Sequence, residues 1–211
     1  MKKRRTRPEI SEDNRRGVLD AAREQFLVKG FHGSSLDAIA EAAGFSKGVV
    51  YSQFGGKNEL FLALLEERIE QRREHSRELA ASLSGPEGFE AMARDATGVS
   101  ADSVAWQALL LEFRAHAARN AALNDRYLAL HRRTIDYVSD MLTDIFERGG
   151  SPPPLPPATM ATLFLAIGTG LTAELLADPR LDVRLMASQI ARALGALVPK
   201  AQAARRIRSS A

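Results

Sequence analysis

Residues 34–59 read SSLDAIAEAAGFSKGVVYSQFGGKNE, and their spacing predicts a helix-turn-helix that runs into a longer helix. Ser34 is placed to cap the first short helix, with Asp37 three residues on completing a capping box. Leu36, Ile39, Ala40 and Ala43 recur at the three-and-four spacing of one buried helical face. Ala40 stands just before the turn, where a small side chain lets a second helix cross closely. Gly44 follows, at a point where a left-handed backbone costs little only for glycine. Ser46 is placed to cap a second helix over 47–53. Val50 and Phe54 of this stretch turn inward, leaving Lys47, Gly48, Val49, Tyr51, Ser52 and Gln53 to face outward. Two short helices at a steep angle, the second presenting small, polar and basic groups, suit the major groove of a DNA duplex.

Extended to residues 30–61, GFHGSSLDAIAEAAGFSKGVVYSQFGGKNELF, the stretch resembles the DNA-binding signature of the TetR family of bacterial transcriptional regulators. The matching pattern is a Gly-aromatic pair, two hydroxyl residues, Ile-Ala, an Ala-Gly turn and Ser-Lys-Gly. Tyr, Phe, Lys and Glu-x-Leu then follow at fixed offsets. The resemblance implies an all-α fold with an N-terminal three-helix DNA-binding head joined to a larger helical ligand-binding and dimerisation domain. The expected division is a basic arm at 1–10, the head at 11–56, the helical body at 57–199 and a disordered tail at 200–211.

By the same resemblance, Ser46, Lys47, Gly48, Val49, Tyr51, Ser52 and Gln53 supply contacts to base edges and nearby phosphates. Tyr51 and Lys57 match phosphate contacts, and Lys57 also sits at a helix N-terminus. On the residues alone, Tyr51 reads equally as a packed aromatic and Lys57 as a solvated charge. Ser34 and Ser35 match hydroxyl positions that either cap a helix or touch a phosphate. Three residues depart from the family pattern. Val49 replaces a common threonine and offers an apolar contact suited to a thymine methyl. Ser52 and Gln53 replace a pair more often aromatic or histidine, and Gln53 can pair with adenine or reach a phosphate. Gly56 replaces a serine cap, at small loss.

The 211 residues suffice to bury a sizeable core, in one large domain or in a small one joined to a larger. Composition is ordinary for a globular chain, with 45% hydrophobic and 26% charged residues. There is no cysteine, which excludes disulfides, thiolate metal sites and a cysteine nucleophile. The net charge is +3, but residues 1–58 hold 11 Lys/Arg against 7 Asp/Glu. The basic excess therefore lies with the helix-turn-helix, as a phosphate-facing module requires. MKKRRTR at the start has no apolar stretch behind it, so a secretory signal is not expected. It reads either as a solvated tail or, beside a DNA-binding head, as an arm whose Arg4 and Arg5 meet phosphates or the minor groove. The first helix is expected to start at Ser11, with Glu12 and Asp13 in its first turn. Val18, Leu19, Ala22, Phe26 and Leu27 give it a buried stripe, and Gly30 is expected to end it.

From Lys57 a long helix is expected, with Leu60, Leu64 and Ile69 along one side and the solvated run EERIEQRREHSRE after them. SLSGPEG at 82–88 ends it, and Pro86 suits the first turn of a short helix over 86–97. A helix through Trp106, Leu109, Leu110, Phe113 and Ala117 breaks at Asn120, and another is expected over 121–148. Trp106, Phe113, His116, Tyr127, Tyr137 and Met141 are candidates to line a pocket for a small-molecule inducer. The other reading of such a stripe is plain core. His116 and His131 lack carboxylates at metal-ligand spacing, so no metal site is expected.

GGSPPPLPP at 149–157 is the clearest breaker, followed by ATMATLFLAIGTGLTAELLA. Its four threonines, two glycines and glutamate argue for a buried helix in a dimer seam over a membrane span. A last helix is expected to carry Met186, Ile190, Leu194 and Leu197. Phe164, Gly168, Leu171 and Leu175 join them as the candidate seam, which a two-fold axis would double into four helices. No Gly-rich phosphate loop, nucleophile elbow or catalytic serine or histidine spacing occurs, so neither an enzyme nor a cofactor is expected. The expectation is a cytoplasmic, homodimeric regulator, most simply a repressor, that binds a roughly palindromic double-stranded operator and answers to a small molecule. The alternative is a DNA-binding regulator or architectural protein without ligand control.

Overall fold

The computed structural model describes residues 7–96, 101–150, 152–182, 185–186, 188–190 and 192. Arg4 and Arg5 of the basic arm, the candidate seam residues Leu194 and Leu197, and the tail at 200–211 lie outside the described residues. Among the described residues, helices follow in the order α1 (Arg7–Gly33), α2 (Leu36–Ala42), α3 (Lys47–Phe54), α4 (Lys57–Ala81), α5 (Gly85–Ala96), α6 (Ala101–Ala117), α7 (Ala121–Arg148) and α8 (Pro157–Ala177). Met186 and Ile190 lie in a further helical stretch, and no strand occurs among the described residues.

Helix α1 begins at Arg7, four residues earlier than expected from Ser11. Pro8 explains the difference: in a first turn its missing N–H has no intrahelical partner to lose. Gly30 breaks α1 internally, with φ 73° and ψ 174°, and Phe31–Gly33 form one more helical turn beyond it. Only glycine adopts that backbone region without strain. Asp178 stops α8 in an extended conformation (φ −132°, ψ 99°), the geometry imposed on a residue that precedes proline.

By contact the chain forms two compact units, the first from residues 1–71 with 105–130 and the second from 72–104 with 131–211. The expected head at 11–56 is thus only part of the first unit, which also takes the first half of α4, most of α6 and the start of α7. The cause is the aromatic core. Phe26, Phe31, Phe61 and Phe113 are each essentially inaccessible to solvent. Phe31 meets Phe61 edge-on at 5.5 Å and Phe113 edge-on at 5.1 Å, and Phe61 stacks on Phe113 at 4.1 Å. α4 and α6 supply the rings that oppose Phe26 and Phe31. Arg126 of α7 pairs with Glu59 of α4 at the edge of this unit.

In the second unit Phe89, Met92, Val138, Met141, Leu142, Ile145, Phe146, Met160 and Ala161 form the core, with Tyr137 and Phe164 packed against it. Arg148 donates from Nε to Leu83 O (3.1 Å) and from Nη2 to Ala80 O (2.5 Å), covering carbonyls at the end of α4. Only 17% of the most apolar stretch of α8 is buried within the chain. Leu171 is buried and Phe164 packs against Phe89 at 6.4 Å, so these two candidate seam residues serve the chain's own core. The outward stripe is instead Leu163, Ala166, Gly170, Ala173 and Leu176.

Gly44 adopts φ +72°, and a Cβ there would meet nothing within 4 Å. Its demand is therefore purely one of backbone conformation. Gly44→Val is expected to lower unfolding free energy by about 1–3 kcal/mol, read from urea midpoints. An unchanged midpoint would remove the left-handed turn from the account.

Candidate nucleic-acid interface

The α2–turn–α3 unit forms as the apolar pattern requires: Leu36, Ile39, Ala40, Val50 and Phe54 are buried. Ala40 O accepts the Phe45 N–H at 2.9 Å across the Gly44 turn. The capping residue differs from the expected one. Ser35, not Ser34, is the N-cap of α2, and its Oγ accepts from Ala38 N at 3.2 Å. Ser34 is buried, with its hydroxyl directed at Gly30 O (2.8 Å) and Gln25 O (3.1 Å). It satisfies carbonyls exposed by the break in α1, so its hydroxyl is turned away from any phosphate. Asp37 completes no capping box. It pairs with Lys47 of α3 at 2.5 Å, both side chains being largely exposed.

On α3, Lys47, Gly48, Tyr51 and Ser52 are exposed and Val49 is half-exposed. Tyr51 keeps 51% of its surface accessible, which removes the packed-aromatic reading. Ser46 occupies the N-cap position, but its hydroxyl makes no capping bond. Its carbonyl accepts Val49 N at 3.0 Å, leaving Oγ exposed. Ser52 Oγ donates back to Val49 O at 2.9 Å. Gln53 is half-buried, and its Oε1 is enclosed without a hydrogen-bond partner. The Arg15 guanidinium lies 4.7 Å from the Phe54 ring centre, bracing the end of α3 from α1.

Lys57 is neither a solvated charge nor an extended phosphate arm. Its Nζ donates to Phe31 O at 2.9 Å and to Ser34 O at 3.0 Å, and lies 4.5 Å from the Phe31 ring centre. Two of its three donors are thus spent on the link between α1 and α2. Burial pulls the Lys57 ammonium below the usual lysine range, and the neighbouring Glu112 carboxylate opposes that shift. Glu112, on α6, reaches the same link. Its Oε2 accepts Phe31 N at 2.9 Å and its Oε1 accepts His32 N at 2.8 Å. Nothing in the local sequence marks Glu112, because its partners lie some eighty residues away.

The six pocket candidates divide between the two units. Trp106, Phe113, His116 and Tyr127 belong to the first, where Phe113 touches Tyr127 at 6.1 Å and Trp106 stacks on Phe61 at 6.2 Å. Trp106, Phe113 and Tyr127 are core, because rings at helical spacing find other rings to pack on, while His116 is half-buried beside them. Tyr137 and Met141 belong to the core of the second unit. Among the described residues, no three His, Cys, Asp or Glu side chains cluster as a metal site.

His116 Nε2 lies 3.3 Å from Asn58 Oδ1, and its ring meets His32 edge-on at 5.2 Å. Burial first, then the charges of His32, Lys57 and Arg119, hold the His116 pKa below 6.5. The unfolded chain therefore takes up a proton at this site before the folded chain does. The resulting loss of stability begins as pH falls through 6.5 and is complete below the folded value. Urea midpoints of the wild type are expected to fall more steeply between pH 7 and pH 5 than those of His116→Gln. Parallel pH profiles would mean that the His116 imidazole takes up its proton alike in the folded and unfolded chain.

The helix-turn-helix geometry agrees with the comparisons. Residues 18–64 match the family model for bacterial regulatory proteins of the TetR family. Residues 86–199 match that for the C-terminal part of BetI-type transcriptional repressors. The transcriptional regulator UidR of Escherichia coli K12 is 25% identical over 168 residues, covering 80% of this chain and 84% of UidR. A TetR-family regulator from Rhodococcus sp. superposes with a TM-score of 0.72 at 22% identity, covering 87% of this chain and 98% of that one. FadR from Bacillus subtilis, solved with stearoyl-CoA, has a TM-score of 0.68 at 18% identity over the same shares. With α3 exposed on the helix-turn-helix and both parts of the chain matched, this protein belongs to the TetR family of sequence-specific DNA-binding transcriptional regulators.

Proposed function

We propose that this regulator is a homodimeric repressor that acts in the bacterial cytoplasm on a roughly palindromic operator and is released by a small molecule. The observation that carries the proposal is the outward face of α3. The N-cap Ser46 and, on the eight-residue helix after it, Lys47, Gly48, Tyr51 and Ser52 are exposed together, and the other face of that helix is anchored by Val50 and Phe54. Gly48 lets the backbone approach the duplex, Val49 offers an apolar contact, Tyr51 and Ser46 offer hydroxyls, and Lys47 offers charge. Gln53 reads a base only after swinging outward. Its enclosed, unpartnered oxygen favours that motion, since a buried acceptor without a partner costs about 1–3 kcal/mol.

A half-site reader needs a second copy at fixed spacing. The outward stripe of α8, Leu163–Ala166–Gly170–Ala173, is apolar, small in its middle and exposed among the described residues. Covering it with the same stripe of a second copy supports a two-fold seam. The small-molecule arm of the proposal draws on the ligand named for the Bacillus subtilis FadR structure, whose fold this chain shares. Such an effector releases DNA only if it binds the DNA-free conformation more tightly than the DNA-bound one.

Selection from a random duplex library is expected to return a site with two inverted half-sites. Sedimentation is expected to give a dimer, which Leu163→Glu converts to a monomer. A monomeric wild type that prefers no duplex would overturn the proposal. A dimeric Leu163→Glu would move the seam off this stripe. Lys57→Ala is expected to weaken binding to the selected duplex without changing its salt dependence, because its donors serve the protein. A slope of log K against log salt shallower by about one would make it a phosphate contact after all.

A further inference from the structure

The break in α1 at Gly30 is gripped at both of its polar ends. Phe31 and His32 present amide hydrogens that have no helical acceptor, and the two oxygens of Glu112 take one each. Phe31 and Ser34 present carbonyls, and Lys57 takes both. The Ser34 hydroxyl takes the carbonyls of Gly30 and Gln25. The link leads directly into Ser35, the N-cap of α2, which carries α3 across the Gly44 turn. The direction in which α2 leaves α1 is therefore set by groups outside the helix-turn-helix, and one of them is a carboxylate on α6.

Close approach is built into the site. A Cβ at Gly30 would lie 2.7 Å from Glu112 Oε2, so glycine serves both the backbone angle and the access of the carboxylate. Phe31 and Phe113 pack edge-on beside it. Phe113 follows Glu112 on α6, so the ring and the carboxylate fix the same register of α6 against the link.

We propose that Glu112 is a positioning residue for DNA recognition: from α6 it holds the 30–34 link in the one geometry that sets α2 and α3 for a half-site. It touches no DNA itself. It acts by removing alternative directions for the head, so its loss costs sequence preference more than general attraction to DNA. It also makes the register of α6 a determinant of operator affinity, since sliding α6 withdraws both acceptors at once.

The inference rests on α3 as the reading helix, and selection of a duplex by the wild-type protein tests that part separately. Glu112→Ala, Glu112→Gln and Glu112→Asp would be compared on the selected duplex and on a mixed-sequence duplex of equal length. Hydrogen exchange at the Phe31 and His32 amides would be followed in each. Glu112→Ala is expected to weaken binding to the selected duplex about tenfold or more and to the mixed duplex less than about threefold, with the salt slope unchanged. The two amides are expected to exchange faster, in the order Ala and Asp ahead of Gln, because Gln keeps one acceptor and Asp falls short. Unchanged affinity for the selected duplex with accelerated exchange would overturn the proposal. Equal losses on both duplexes with reduced helicity would also overturn it, leaving only a structural role. Should Glu112→Ala fail to fold, Glu112→Gln at wild-type helicity decides between the same outcomes.

Discussion

A helix that breaks inside a core must satisfy the polar groups it exposes, and that constraint organises the first unit. The break at Gly30 leaves amide and carbonyl groups without helical partners, part-buried at Phe31 and Ser34 and at the surface at His32. Carbonyls are met by Lys57 and Ser34, and amides by Glu112. Each partner comes from a different place in the chain, so satisfying one turn ties α1, α4 and α6 together. Bonds with one ionised partner are stronger than neutral ones, which suits a link whose direction must not drift.

The aromatic core makes that arrangement affordable. Phe26, Phe31, Phe61 and Phe113 come two from α1 and one each from α4 and α6. Their edge-on and stacked contacts fix rotations that a core of leucines would leave loose. Lys57 lies over the Phe31 ring while reaching the carbonyls, and the burial that lowers its pKa is opposed, though not cancelled, by the Glu112 carboxylate. Polar grip and apolar packing meet at the same residue.

What was legible in the sequence was local. The turn at Gly44, the inward Val50 and Phe54, and the outward Lys47, Gly48, Tyr51 and Ser52 follow from spacing over a few residues, and α7 was readable to its ends at Ala121 and Arg148. The capping serine was misplaced by one residue because two adjacent hydroxyls satisfy the same local pattern. Only the carbonyls left by the distant break decide that Ser34 turns inward and Ser35 caps. The bonds that Lys57 makes within the chain were hidden for the same reason. Its acceptors lie 26 and 23 residues back in the chain. Glu112 was invisible, since a carboxylate in a helix has no signature until its partners are known. The aromatic stripe on α6 showed helical spacing but could not show that its rings pack onto Phe31 and Phe61. On α8 the periodicity was plain, yet which stripe faces the core depended on Phe89 finding Phe164.

If α3 is the reading helix, as proposed, its outward face is already partly engaged by the chain's own groups, and this bears on selectivity. Lys47 is paired with Asp37, and Ser52 is bonded back to Val49. A lysine whose charge is balanced by a neighbouring carboxylate draws phosphates less strongly than an isolated one, which lowers affinity for arbitrary DNA. Gln53 stands opposite to these: its oxygen is enclosed and unmatched. Meeting an adenine edge would give that oxygen a partner, whereas meeting a base with no donor there would not. The exchange is close to neutral for Lys47 and Ser52 and favourable for Gln53 only at the right base, so the face gains little from a wrong sequence. Such discrimination works only if α3 is presented at a fixed angle, and the fixed angle returns to the link at Gly30.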